Sequence, residues 1–426
     1  MKQTEQLINE LRQGIYDELL EDIYIDKSRI PYEKERYEDA VRKYEELFGK
    51  DIVEIYSAPG RSEIGGNHTD HQHGEVLAAS INNDAIAVSR AREDGLVKVV
   101  SGTDPMITID ISDLEKKNEE EGTTPALIRG VLAGLKDKGY SIGGFQAYIT
   151  SNVLIGAGLS SSAAFETVVG TIISGIYNNM QISAVEIAIV GQYAENVYFG
   201  KPCGLMDQMA CSVGSLVYID FADPEDPTVE KVELDLDSYG YSLCITDTKG
   251  SHADLTDDYA AIPAEMKKAA EVFGKEYLSE VDPEEFMAGI QKVREAAGDR
   301  AALRAIHFME DNARVRKETA ALKAGDVQEF LQNIALSGNS SFKYLQNVYT
   351  NRDVEHQNVS LALAVSESVL DTDGVCRVHG GGFAGTIQAF VKNEAVDRYK
   401  AALDSVFGQD SCCVLKIRKY GGMKVI

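Results

Sequence analysis

Apolar residues recur at three- and four-residue spacing near the start of the chain, at Leu7, Ile8, Leu11, Ile15 and Leu19, and the spacing predicts helix across much of the first fifty positions. A second helical stretch, YEDAVRKYEELFG, ends at Gly49, as a helix stop should. Short strand-like runs follow: IVEIYSAPG, VLAASINNDAIAVSRA, LVKVVSG and MITIDIS. The helical stretch PALIRGVLAGLKDKG leads into a further strand, GFQAYITSNV. After it, the loop LIGAGLSSS opens a long apolar helix, AAFETVVGTIISGIYNNM. Later, DLDSYGYSLCITDT reads as strand, residues 257–346 as mostly helix, and VCRVHGGGFAGTIQAFV and CCVLKIR as strands.

These strands come in meander-like groups rather than alternating regularly with helices, which indicates an α+β protein of two lobes. The segment FADPEDPTVEK (221–231), with two prolines among acidic residues, is the expected junction between them. The predicted organisation is a helical extension over 1–30, an N-terminal lobe over 31–225 and a C-terminal lobe over 226–426. The extension is expected either to pack on a lobe or to mediate assembly. No internal repeat or low-complexity tract is visible.

Charge narrows the function classes. Acidic residues outnumber basic ones 68 to 42, for a net charge of −26. Such a surface repels phosphate backbones and anionic headgroups, so neither nucleic acid nor a membrane is an expected partner. A local cationic pocket can still hold a phosphorylated small molecule. Six cysteines (Cys203, Cys211, Cys244, Cys376, Cys412, Cys413) lack C-x-x-C spacing and read as reduced thiols of a cytoplasmic protein. The N-terminus has no signal-peptide pattern, and no apolar run approaches the ~18–20 residues of a membrane span. A monomer is expected, with weak self-association as the alternative.

Three glycine-rich points carry the chemistry. In SAPGRSEIGGNHTDHQHG, His68, Asp70, His71 and His73 fall within six residues. That cluster reads either as a metal site or as a polar loop for a polyhydroxylated ligand. The second reading is favoured because zinc usually draws its ligands from separated elements, whereas carboxylate and imidazole both suit hydroxyl groups. In GAGLSSSAAFE, glycines and serines precede a helix whose N-terminal N–H groups and dipole favour phosphate, although the Walker pattern is missing. In HGGGFAG, consecutive glycines permit either a tight hairpin or a close approach to a ligand.

Together, in this order, the three stretches resemble the signature motifs of the GHMP small-molecule kinases, specifically the galactokinase branch. The likeness extends to GLMDQ (204–208), ENVYFGKPCG (195–204), HFMEDNARV and ALKAGD (307–326), and spans roughly residues 35–426. It implies a two-lobed fold with the active-site cleft between the lobes, and phosphorylation of a sugar's anomeric hydroxyl by ATP. The motif positions assign Asp207 as catalytic base and Arg61 as its partner. Gly156, Gly158, Ser160, Ser161 and Ser162 fall on the phosphate loop, and Ser162 with Glu195 on the Mg²⁺ ligands. Asn67, His68, Asp70, His71, Tyr259 and Gly382 fall on the sugar site.

The chain departs from the galactokinase pattern G-E-H-T-D-Y-N. It reads Gly66-Asn67-His68-Thr69-Asp70-His71-Gln72, with a neutral amide where that branch carries glutamate and His71 in place of tyrosine. Leu154 replaces the proline ahead of the phosphate loop, and the basic pair after Tyr259 is absent. Galactose is the expected substrate. Galacturonate and N-acetylgalactosamine are the alternatives, because an amide in place of a carboxylate can admit an acid. A non-catalytic sugar- and ATP-binding sensor is the alternative from another class.

Overall fold

The computed structural model describes residues 1–154, 158–224, 226–250 and 255–426. Among the described residues, the first sheet has nine strands. Its main path runs Lys2–Gln3, Ile52–Gly65, Glu75–Arg92, Gly144–Ser151, Leu96–Ser101, Ile107–Asp110. The strand Glu75–Arg92 is long enough to serve two neighbours on one edge. Its first residues pair with Leu216–Asp220, and its later ones pair with Gly144–Ser151.

Alternation along these strands sends Val53, Ile55, Ile86 and Val88 to one face, and Tyr56, Ala58, Ala85 and Ala87 to the other. Helices Thr124–Asp137, Ser161–Asn178 and Ala184–Tyr193 cover the second face with Ile128, Leu132, Val168, Ile172 and Ile187. Helices Thr4–Arg12, Asp17–Tyr24 and Ile30–Phe48 cover the first with Leu7, Leu11, Leu20, Ile23, Val41 and Tyr44. With both faces covered, the strands are buried almost without interruption. Each Leu or Ile so buried contributes about 1.5–3 kcal/mol. The N-terminal extension therefore packs on the first sheet as part of its core. Its first predicted helix is two: a turn at Gly14 (φ 76°) breaks it and leaves Ile15 exposed.

A buried ionic cluster fastens this layer. Asp84 accepts from Tyr24 Oη at 2.8 Å and from Arg418 Nη1 at 2.8 Å, and it is also paired with Arg36. The extension, the sheet and the C-terminal segment thus meet on one carboxylate.

The second sheet is antiparallel, in the order Gly374–His379, Thr386–Lys392, Tyr241–Asp247, Cys412–Leu415. Helices Asn358–Leu370 and Val396–Phe407 pack on Ile387, Ala389 and Val391. On the opposite face, Phe330 of helix Val327–Ser340 meets Phe390 edge-on, with ring centroids 5.3 Å apart. The α+β class expected from the sequence is observed.

The expected lobe boundary needs correction. Thr228–Val232 pairs with Leu216–Asp220, so 221–227 is the connection of a hairpin inside the first sheet. The crossing to the second sheet comes after Val232. The chain also returns at its end, where Met423–Lys424 pairs with Ser57 and Tyr56. Proline-rich turn chemistry was legible at 221–231, but the strand that pairs across it was not.

Candidate active site

Arg61 lies in the middle of strand Ile52–Gly65, just after a bulge at Pro59. There the strand presses against the phosphate loop: a Cβ on Gly60 would meet Leu159 O at 2.8 Å, and Arg61 N donates to that same oxygen at 3.1 Å. The bulge aims the guanidinium at Asp207, in the first turn of helix Met206–Val213. Arg61 Nε donates to Asp207 Oδ1 at 2.7 Å and Nη2 donates to Oδ2 at 2.8 Å, a bidentate pair. Arg61 Nη1 donates to Gly158 O, and Ser160 Oγ donates to Asp207 Oδ2. Burial opposes the charged form of Asp207, but Arg61 beside it, with Ser160 and Lys201, holds the carboxyl below its usual range. The Asp207 side chain keeps 28% of its surface exposed, so it is reachable as well as held.

The phosphate loop reaches its helix through two left-handed residues, Gly158 (φ 66°) and Ser160 (φ 55°). Helix Ser161–Asn178 then begins, placing Ser161 and Ser162 in a first turn whose N–H groups lack intrahelical partners. Gly156 lies outside the described residues. Ser162 Oγ donates to Glu195 Oε1 at 3.1 Å, from a π-helical turn over Ala194–Phe199. Gln208 Nε2 bridges Glu195 Oε2 at 2.8 Å and Glu166 Oε2 at 3.0 Å. Burial and the neighbouring Glu195 push Glu166 well above the usual carboxylate range.

The histidine-rich turn disperses its side chains. His68 (φ 62°) contacts Gly381 O at 3.1 Å through Nε2; burial and neighbouring His71 lower it to about 3, so the ring is neutral. His71 stacks on it with centroids 5.8 Å apart and keeps 40% of its side chain exposed. His73 goes elsewhere and stacks on Tyr277 at 3.7 Å. Asp70 lies against the turn leading to Asp207: a Cβ on Gly204 would sit 2.3 Å from Asp70 Oδ2. Among the described residues, no three His, Cys, Asp or Glu side chains are grouped to hold a metal ion.

Tyr259 closes the far side. Its hydroxyl donates to Gly382 O at 2.8 Å and its ring meets Phe383 edge-on at 5.3 Å. Gly382 is required here, since its φ is 82° and a Cβ would lie 2.0 Å from Asn347 O.

Asn67 departs from the expected sugar contact. It is fully buried, and protein groups take up its amide. Nδ2 donates to Glu63 Oε1 at 3.0 Å and to Gly380 O at 2.8 Å, while Oδ1 accepts from Asn347 at 2.8 Å and Ser341 at 3.2 Å. Its backbone is held as well, by Asp311 on the N–H and His307 on the carbonyl, each at 2.9 Å. Asn67 holds the loop and offers no unclaimed polar atom to a sugar.

A galactokinase from Glaesserella parasuis is 31% identical over 83% of this chain and 89% of its own. The chain belongs to the galactokinase family. The galactokinase galactose-binding signature matches residues 42–91, which hold Arg61 and the histidine-rich turn. The GHMP kinases N terminal domain matches 126–215, which hold the phosphate loop, Glu195 and Asp207. The crystal structure of Lactococcus lactis galactokinase complexed with galactose superposes with a TM-score of 0.76 at 28% identity, covering 90% of this chain and 98% of that one. A mevalonate kinase structure, 14% identical with a TM-score of 0.59 over 86% of this chain and 99% of that one, shares the fold alone.

Several residues of this galactokinase-family site escape a reading of its motifs. Glu63 is buried and paired with Arg377 Nη2 at 2.5 Å; burial raises it to about 7 against the pull of that guanidinium. His379, inside the third glycine-rich stretch, joins the lobes by contacting Ser62 Oγ at 3.1 Å and Thr386 Oγ1 at 2.9 Å. The stretch HFMEDNARV was visible as a likeness, but not the fact that its His307 and Asp311 clamp Asn67. No local pattern shows contacts across more than two hundred residues.

Proposed function

We propose that this protein is an ATP-dependent galactose 1-kinase. The observation that carries the reading is the Arg61–Asp207 pair locked onto Ser160 at the entrance to the phosphate-loop helix. Asp207 takes the proton of the sugar's anomeric hydroxyl, whose oxygen attacks the γ-phosphorus in line as ADP departs. Arg61 keeps the base anionic and offsets charge on the transferred group. The helix N-terminus with Ser160 and Ser161 takes the phosphates, and His68, Asp70 and Tyr259 bound the sugar.

The donor set fits Mg²⁺. Ser162 Oγ and Glu195 Oε1 are hard oxygens already side by side, and across Gln208 from Glu195 the buried Glu166 Oε1 has no hydrogen-bond partner. When bound, the ion offsets phosphate charge. The uronic-acid alternative drew on a neutral residue at 67. Asn67 is committed to protein groups, and a carboxylate, Glu63, stands 3.0 Å from its amide nitrogen. With its amide taken up by protein groups, Asn67 is not free to bind a uronic acid's carboxylate, and the uronic-acid alternative loses its support.

Six cysteines without disulfides support a reducing, cytoplasmic setting, and no described helix is long and apolar enough to cross a membrane. We take the working form to be a monomer. Initial rates with ATP and Mg²⁺ across galactose, N-acetylgalactosamine, galacturonate and glucose test the substrate. Preference for galactose is expected, and preference for galacturonate would overturn the assignment.

A further inference from the structure

Glu195 has a partner that a metal ligand does not require. Lys201 Nζ donates to Glu195 Oε1 at 2.9 Å, the same oxygen that accepts from Ser162 Oγ at 3.1 Å. The chain arranges this locally. Gly200 (φ 83°) ends the π-helical turn, and Lys201 N donates back to Glu195 O at 3.1 Å, laying the lysine over the glutamate six residues behind it. The two side chains are unequally buried: Glu195 is 3% exposed and Lys201 is 62% exposed. The ammonium therefore caps the carboxylate from the solvent side, the side from which a nucleotide arrives. Inward, Gln208 links Glu195 to a second acid, Glu166, whose Oε1 is buried and unpartnered. The solvent-exposed Lys201 ammonium is thus the cation paired with the buried Glu195 carboxylate.

A divalent ion bound by Ser162 Oγ and Glu195 Oε1 has to approach that shared oxygen where Nζ now stands. We propose that Lys201 is a placeholder cation: it holds Ser162 and Glu195 in their ligating arrangement in the resting enzyme and is displaced when the divalent ion binds. This rests on the assignment of Ser162 and Glu195 as the metal ligands. Lys201 is then a positioning residue that competes with the metal, and its exposed four-carbon stem lets the ammonium leave without disturbing the backbone. Two cations on one carboxylate oxygen repel, so removing the lysine strengthens metal binding while it destabilises the metal-free protein.

The test is Mn²⁺ titration of the full-length, nucleotide-free protein, with free ion read by electron paramagnetic resonance up to millimolar concentration. It compares wild type, Lys201→Met, Lys201→Arg and Glu195→Gln. Lys201→Met is expected to bind Mn²⁺ about tenfold tighter, the order of one screened charge contact. Lys201→Arg, which keeps the cation, stays near wild type, and Glu195→Gln binds about tenfold more weakly. The melting temperature of Lys201→Met is expected to fall without metal and to recover in saturating Mg²⁺ more than wild type gains. If Glu195→Gln weakens binding while Lys201→Met does not tighten it, the placeholder role is wrong and the metal assignment stands. If Glu195→Gln binds as wild type does, both are wrong.

Discussion

Arg61 grips Asp207 through two near-parallel hydrogen bonds of 2.7 and 2.8 Å, joining the second strand of the chain to a helix 146 residues later. The pair sets the protonation state of the proposed base. Arg61→Met is expected to lower kcat about 10²–10³-fold, the usual effect of removing one group that stabilises developing charge. It also removes the influence that keeps Asp207 below its ordinary range, so the acidic limb of the kcat–pH profile moves to higher pH. A profile measured from pH 4 to 8 checks both; an unmoved acidic limb contradicts the assignment of Asp207 as base.

Asn67 and Glu63 are a reciprocal pair, amide nitrogen to carboxylate at 3.0 Å, both buried. Asn67→Glu alone sets two carboxylates against each other beside a single arginine, Arg377, and is expected to cost about 3–5 kcal/mol. Combining it with Glu63→Asn restores one acid and one amide, and recovery of most of that loss is expected. A urea-denaturation double-mutant cycle measures the coupling. If the two single losses simply add, the pair does not interact as described.

Such pairs mark the limit of what the chain's pattern discloses. The strand beginning at Ile52 was legible from its alternation, but Pro59 and Gly60 read as its end. The structure carries it on to Gly65 because a bulge absorbs the proline. Helix Asn358–Leu370 was not among the predicted elements, although Val359, Ala362, Ser366 and Leu370 line its buried side at helical spacing. Arg61, Asp207 and the Ser160–Ser162 turn stood out in the sequence because each sits in a short continuous motif, and the fold brings them together. The role of Asn67 did not, because its partners at 307, 311, 341 and 347 come from distant segments and only the fold gathers them.

Asp84 anchors the N-terminal layer. Replacing it with Asn leaves Arg36 and Arg418 buried without their shared counter-charge, and a loss of about 3–5 kcal/mol is expected. Burial opposes its ionisation, but Arg36 and Arg418 win and hold the carboxyl below the ordinary aspartate range. A lowered folded-state pKa stabilises above the unfolded-state value, near 3.9, and that contribution fades as pH falls through the folded-state value. Stability curves between pH 3 and 7 should therefore show less acid sensitivity in Asp84→Asn than in wild type.

Glu166 behaves oppositely, since burial and Glu195 raise it. The folded protein keeps a proton there that the unfolded chain releases, so this group makes stability fall as pH rises above the ordinary glutamate value, near 4.3. Glu166→Gln, close in shape to the protonated acid, is expected to fold normally and to lose that decline between pH 5 and 8. Denaturant midpoints across that range decide the matter; an unchanged slope means Glu166 is ionised in the fold.

The proposed transfer of phosphate to the anomeric oxygen, with Asp207 as base, is tested most directly by ³¹P NMR of the product. Incubating the enzyme with ATP, Mg²⁺ and galactose should yield a sugar phosphate whose phosphorus couples to the anomeric proton. Asp207→Asn should slow its formation by about 10²–10⁴-fold, the range for losing a general base. A product phosphorylated at another carbon, or an Asp207→Asn enzyme as fast as wild type, would contradict anomeric transfer by Asp207.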